Sequence, residues 1–272
     1  MPLSEATEPR TAVGALTGSL KTLLIRGLLA GLIAGLLAAT VGYFVGEPKI
    51  DAAIAIEEAA GGGHTHGEAA EPAAAGAPAE EEEAEVSRPG QKAGQFLALG
   101  LAGMAFGALF ACAANVARRH TTLSGPRLAL GLAAGGWLAI VAVPFFKYPA
   151  NPPAVGDPET INDRTWLWVA VVLLGFAAVG LAVYAYRLLN GQLDTVRLIG
   201  ATAVFVLVTA IGYILLPGID EVKADFPPSL LWQFRVASLA ETATLWAALG
   251  LAFAALTEFA ARGVREPAAV AA

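Results

Sequence analysis

Two histidines stand one residue apart in the run Gly63-His64-Thr65-His66-Gly67-Glu68. Imidazole binds Co, Ni, Cu and Zn, and a neighbouring carboxylate adds charge. His64, His66 and Glu68 can therefore collect a divalent transition metal, although a tight site needs four to six ligands and nothing nearby is spaced for that. The competing reading is a solvated linker with incidental histidines. Glu241 is the one charged residue well inside an apolar run, Val236–Thr257. Ionisable groups in a bilayer are costly and usually face the interior of a helix bundle. Glu241 reads either as a cation or proton relay or as a protonated carboxyl bonded to a neighbouring helix. Asp157 and Asp220 sit with Glu159, Asp163, Glu221 and Asp225 on stiff proline-containing segments. They can line an acidic vestibule for a cation, or simply set topology. Thr202, Thr209 and Asn115 are polar groups that could help a cation across. Met104 and Cys112 offer soft sulfur, which suits Cu(I) better than Co(II), and they read as packing residues.

What the sequence lacks narrows the function further. There is no G-x-x-x-x-G-K-[ST], no H-E-x-x-H and no G-x-S-x-G. The chain reads as a non-enzyme with no tightly bound cofactor.

The elements that must position these groups follow from composition. Of 272 residues, 56% are hydrophobic and only 15% charged, with a mean hydropathy of +0.62. That is too little polar surface for a soluble fold of this size. A net charge of −6 excludes the basic patch that nucleic-acid binding requires. Six runs of at least about 18 uncharged residues can cross some 30 Å of hydrocarbon: residues 27–45, 93–117, 128–146, 165–186, 198–216 and, interrupted by Glu241, 236–257. None alternates with period two, so they are helices rather than barrel strands. The expected fold is an all-α polytopic bundle of about six transmembrane helices occupying residues 22–259. Cytoplasmic tails at 1–21 and 260–272 flank it, and residues 60–90 are a low-complexity outer loop rich in Ala, Gly, Pro and Glu. The preceding stretch GEPKIDAAIAIEEA can extend the first helix beyond the lipid. Cleavage of the first run as a signal peptide is disfavoured by its length and the 26 residues before it.

Charge sets the orientation. The two tails and the loops bearing Arg118, Arg119, Arg127, Arg187 and Arg197 carry ten basic and five acidic residues. The alternate loops carry seven basic and seventeen acidic. Excess Lys and Arg marks the cytoplasmic face, so both termini are expected inside and three acidic loops outside. Trp166, Trp168 and Trp232 then fall at outer helix ends, where amphipathic rings belong. Arg235 and Lys147 also lie there, positioned to pair with outer carboxylates or to snorkel.

Two further patterns concern assembly. Arg26, Arg127 and Arg197 each open a Leu- and Gly-containing run that turns outside near a Pro and a Lys, so the spans can pair as three helical hairpins. Gly27-xxx-Gly31-xxx-Gly35, Gly103-xxx-Gly107 and Gly131-xxx-Gly135 make smooth helix faces. Such faces either pack within the bundle or meet a partner helix or a second copy in a homo-oligomer.

The outer loops KYPANPPAVGDPETI and DFPPSLLWQFRVASL, with the Gly-rich first helix and GEPKIDAAIAIEEA, resemble the CbtA family of proposed cobalt transporter subunits over roughly residues 23–257. The resemblance implies a protein of the bacterial cytoplasmic membrane, linked to cobalamin biosynthesis, with cobalt(II) or another divalent metal as transported substrate. It also implies a small single-span CbtB-like partner. The family is often described with five spans; the charge asymmetry here counts six. The same residues also fit a second role, as a non-transporting scaffold or metal-sensing subunit that binds a small membrane partner.

Overall fold

The structure is a computed structural model that describes residues 15–61, 87–156 and 158–270. Its elements are helices: α1 Leu20–Val41, a five-residue π turn Gly42–Gly46, α2 Glu47–Gly61, α3 Arg88–Ala117, α4 Gly125–Trp137, a second π turn Leu138–Ala142, α5 Val143–Lys147, α6 Ile161–Leu188, α7 Asp194–Leu215 and α8 Pro228–Val270. Among the described residues there is no β-strand. Six helices are long and apolar enough to cross a membrane, two of them continuous rods that run through a π turn. Lipid offers no hydrogen bonds to a bare backbone, so helical closure of every span is the physical requirement.

Local sequence sets the helix ends. Ser19 caps α1 by accepting from the Thr22 N–H at 3.2 Å, and Ser87 caps α3 by accepting from Gly90 at 3.4 Å. Prolines in the first turn start α3 and α4, where their missing N–H costs nothing. The helix leaving Val45 does not stop at the lipid boundary. It continues through GEPKIDAAIAIEEA to Gly61, about 60 Å of helix in all.

The glycine faces are spent inside the chain. Gly27 and Gly31 on α1 meet Gly107 and Gly103 on α3 so closely that an added Cβ at any of the four would run into the opposing backbone. Gly35 meets the Leu99 carbonyl in the same way. Close backbone approach of this kind is what binds helices to each other in lipid. In α4, by contrast, Gly131 faces open space.

α8 is the centre of the bundle and lies against α1 and α4. Phe253 and Leu249 are fully buried there, and Phe253 meets Phe110 of α3 edge-to-face at 5.2 Å. Trp246 lies over Gly136. α6 packs on the second π turn, and α7 packs on α6. No residue of α7 is buried.

This arrangement corrects the three-hairpin expectation. The first two pairs, α1 with α3 and α4–α5 with α6, do pack together, but α7 and α8 do not form a third. The loop between them carries α8 back to the first helices. Small residues of α4 make room for it there: Gly136 lies under the Trp246 ring and Ala133 against Gly250.

Candidate functional site

Glu241 is half-buried on α8, six residues beyond Arg235. Its carboxylate lies against Gly42, the first residue of the π turn. A methyl placed on Gly42 would stand 2.7 Å from Glu241 Oε2 and would also collide with Gln95 Nε2. Only glycine leaves room for both groups. The π turn has a second effect: the Glu47 N–H donates to the Gly42 carbonyl five residues back, which carries Glu47 round one widened turn beyond Gly42. π turns recur at functional positions because the extra residue re-aims the helix face.

Glu47 is 7% exposed. Its Oε2 accepts from Arg88 at 2.6 Å and lies 3.9 Å from Lys92. One turn farther out on α2, Asp51 accepts from the same Arg88 at 2.6 Å and from Lys92 at 2.7 Å. The two carboxylates, four residues apart, thus face two cations four residues apart on α3, the neighbour spacing of a helix surface. Gln95 continues the α3 stripe inward. Its Oε1 is buried with no hydrogen-bond partner. Among the described residues no hydrogen bond or ion pair reaches the Glu241 carboxylate either. A polar file therefore runs from Asp51 through Glu47 to Gln95 and Glu241.

On its other side Glu241 lines a pocket of about 310 Å³ between α3, the second π turn, α5, α6 and α8. An adjoining cavity of about 420 Å³ shares Tyr148, Ala150 and Trp168 with it and is bordered by Arg164 and Ile161. The segments around this mouth are pinned. The Glu221 side chain is only 4% exposed; it accepts from Arg164 at 3.0 Å, from Asn151 Nδ2 at 3.2 Å and from the Thr160 hydroxyl. Arg235 donates to Asn151 Oδ1 at 2.9 Å and to the Ala150 carbonyl at 3.3 Å. The Tyr148 hydroxyl donates to the Pro217 carbonyl at 2.6 Å, and burial pushes it above the usual phenol range. Lys147 donates to the Tyr213 carbonyl at 3.0 Å. Both Lys147 and Arg235 thus hold backbone and amide oxygens rather than carboxylates.

A family model described as "Probable cobalt transporter subunit (CbtA)" matches residues 20–258. The chain belongs to the CbtA family. No curated protein and no solved structure matches it. It is thus a multi-pass membrane protein of a transporter-subunit family.

Of the expected site residues of this CbtA chain, two are among the described residues, and of these Glu241 lines the pocket. Asp220 is exposed on the loop before α8 and does not line it. His64, His66, Glu68 and Asp157 lie outside the described residues. Among the described residues no group of three or more His, Cys, Asp or Glu is placed to hold a metal ion. The polar residues expected to help a cation across are also elsewhere. Thr202 is exposed on α7, which packs mainly against α6. Asn115 is buried at the opposite end, where its Oδ1 accepts from Arg118 at 2.7 Å. Thr209 Oγ1 is buried without a partner and does not line the pocket. Cys112 is exposed on α3.

Sequence reasoning missed Glu47 and Gln95. The available signal was the matched spacing of Glu47/Asp51 and Arg88/Lys92, four residues apart in each case, on segments that flank one loop.

Proposed function

We propose that this chain is the membrane permease subunit of a bacterial divalent-metal uptake system. Cobalt(II) is its substrate, and the metal supplies cobalamin biosynthesis. The observation that carries the reading is Glu241, an ionisable side chain within a membrane-crossing helix that has no hydrogen-bond partner among the described residues and lines a pocket in the bundle. A purely structural glutamate at that depth would be expected to bond a neighbouring helix. The family description supports cobalt as the metal.

In this reading both termini are cytoplasmic and the acidic loops face outward, as the excess of Lys and Arg at the other end favours. His64, His66 and Glu68, with Asp157 and Asp220, raise the local concentration of the cation. The ion then passes along Asp51 and Glu47, exchanging with Arg88 and Lys92 as countercharges, to Glu241. The membrane potential is worth about 2.3 kcal/mol per charge per 100 mV, so a doubly charged ion is drawn inward with about twice that. A small single-span CbtB-like subunit completes the system, consistent with the word "subunit" in the family description.

The test is uptake of radioactive cobalt into vesicles holding this chain alone and then with the small partner. Glu241→Gln should lower initial uptake at least tenfold without lowering the amount of folded protein. Uptake in the variant equal to that of the unaltered chain would refute the role of Glu241. No cobalt accumulation by either preparation would refute the permease itself.

A further inference from the structure

The aromatic pocket beside Glu241 is chemically unlike the polar file that reaches the same carboxylate from α2 and α3. Its walls are mostly carbon, including the rings of Phe106, Phe145, Tyr148, Trp168 and Trp246, and among the described residues Glu241 is the one charged side chain that lines it. A divalent metal ion entering here would have to exchange its hydration shell for protein oxygens, and few are on offer. The Thr242 hydroxyl already donates to the Ser238 and Leu239 carbonyls at 3.0 and 3.1 Å. The Tyr148 hydroxyl is committed to Pro217. The surroundings instead suit a cation that is weakly hydrated and carries its own apolar body. Aromatic faces attract quaternary cations through their quadrupoles, and a carboxylate supplies the countercharge. The volume, about 310 Å³, is at the small end of the range for organic ligands. The mouth does not repel such a cation, because the charge of Arg164 there is matched by Glu221 at 3.0 Å.

We propose that this pocket is a binding site for lipophilic organic monocations, of the tetraalkylammonium and tetraphenylphosphonium class, with the positive centre at Glu241 and the apolar body against Trp168 and Trp246. A consequence that rests on the permease reading is that such a cation blocks cobalt uptake, because both need one carboxylate.

The deciding experiment is equilibrium binding of radiolabelled tetraphenylphosphonium to the purified full chain in detergent, with no cobalt present. Saturable binding of one cation per chain is expected, with quenching of tryptophan fluorescence. Tetraphenylborate, which has nearly the same shape and the opposite charge, should not compete. Glu241→Gln should weaken binding at least tenfold, and Trp168→Ala several-fold, while Glu58→Gln, exposed on α2, should leave it unchanged. Binding that does not saturate, or that tetraphenylborate matches, would mean partition into detergent or a site for acyl chains, and would overturn the proposal. The borate comparison uses the unaltered chain, so it decides the matter even if Glu241→Gln does not fold. Because cobalt is absent, a chain that binds the cation yet moves no metal overturns only the permease reading.

Discussion

Gly42→Ala separates the stability of the helix from the geometry of the site. In a helix interior, alanine is favoured over glycine by about 1 kcal/mol, so on local grounds the change should be mildly stabilising. The new Cβ would stand 2.7 Å from Glu241 Oε2 and 3.1 Å from its Cδ. To reach ordinary van der Waals contact, the carboxylate must retreat by about 0.7 Å, and the Gln95 amide must move with it. Both groups are the ends of flexible side chains, so the retreat costs little, and net stability should change by no more than about 1 kcal/mol. The carboxylate, however, no longer sits where the π turn placed it. Misplacement on the ångström scale costs reactions about a hundredfold, and we expect at least a tenfold loss of cobalt uptake. Gly46→Ala is the internal comparison, since a Cβ there meets nothing within 4 Å. It should hold or raise the melting temperature in detergent and leave uptake unchanged. Uptake by Gly42→Ala within twofold of the unaltered chain would refute the reasoning, as would an equal loss in Gly46→Ala.

Other perturbations test the scaffold. Gly31→Leu sets a side chain against the Gly103 carbonyl carbon at 2.7 Å and the Gly107 Cα at 3.1 Å; backbone cannot yield there, and the yield of monodisperse protein on gel filtration should collapse, whereas Gly131→Leu, facing open space, should purify normally. Glu47→Ala leaves Arg88, one-third exposed, with Asp51 as its carboxylate partner and the Gln91 amide oxygen; the loss should be about 1–2 kcal/mol, less than for a fully buried pair, seen as a lower melting temperature in detergent. Glu221→Gln removes the ionic partner of Arg164 from the loop clamp; limited proteolysis within residues 148–160 and 217–227 should speed up several-fold, with the helices left intact.

How far the fold could be read from the sequence depended on the range of the physics involved. Each of the six apolar runs lies within a helix to within one residue of its ends, because crossing lipid is a local demand on about twenty consecutive residues. Glu241 stood out for the same reason: a charge in an apolar run is visible wherever that run packs. The glycine faces were legible as packing faces, but not their partners. That Gly27 and Gly31 meet Gly107 and Gly103, leaving no smooth α1 face for another chain, is a matter of which helices are neighbours. The same gap explains the missing third hairpin and the outward-facing Thr202. In lipid any apolar face can go against any other at similar cost, so hydropathy alone does not choose neighbours.

Glu47 is the instructive case. By sequence it belongs to a Glu-Pro-Lys turn just outside the lipid, yet it is buried. The chain continues as helix through the π turn, and α3 brings Arg88 and Lys92 alongside. Length, apolar runs and the distribution of charge determined that this is a six-helix membrane protein with one acidic end, since those properties act over a single turn or a single span. Tertiary structure alone decided that Gln95 and Glu241 converge on Gly42 while Arg88 and Lys92 meet Glu47. That convergence needs three helices and one extra residue in a turn, and no stretch of sequence contains it.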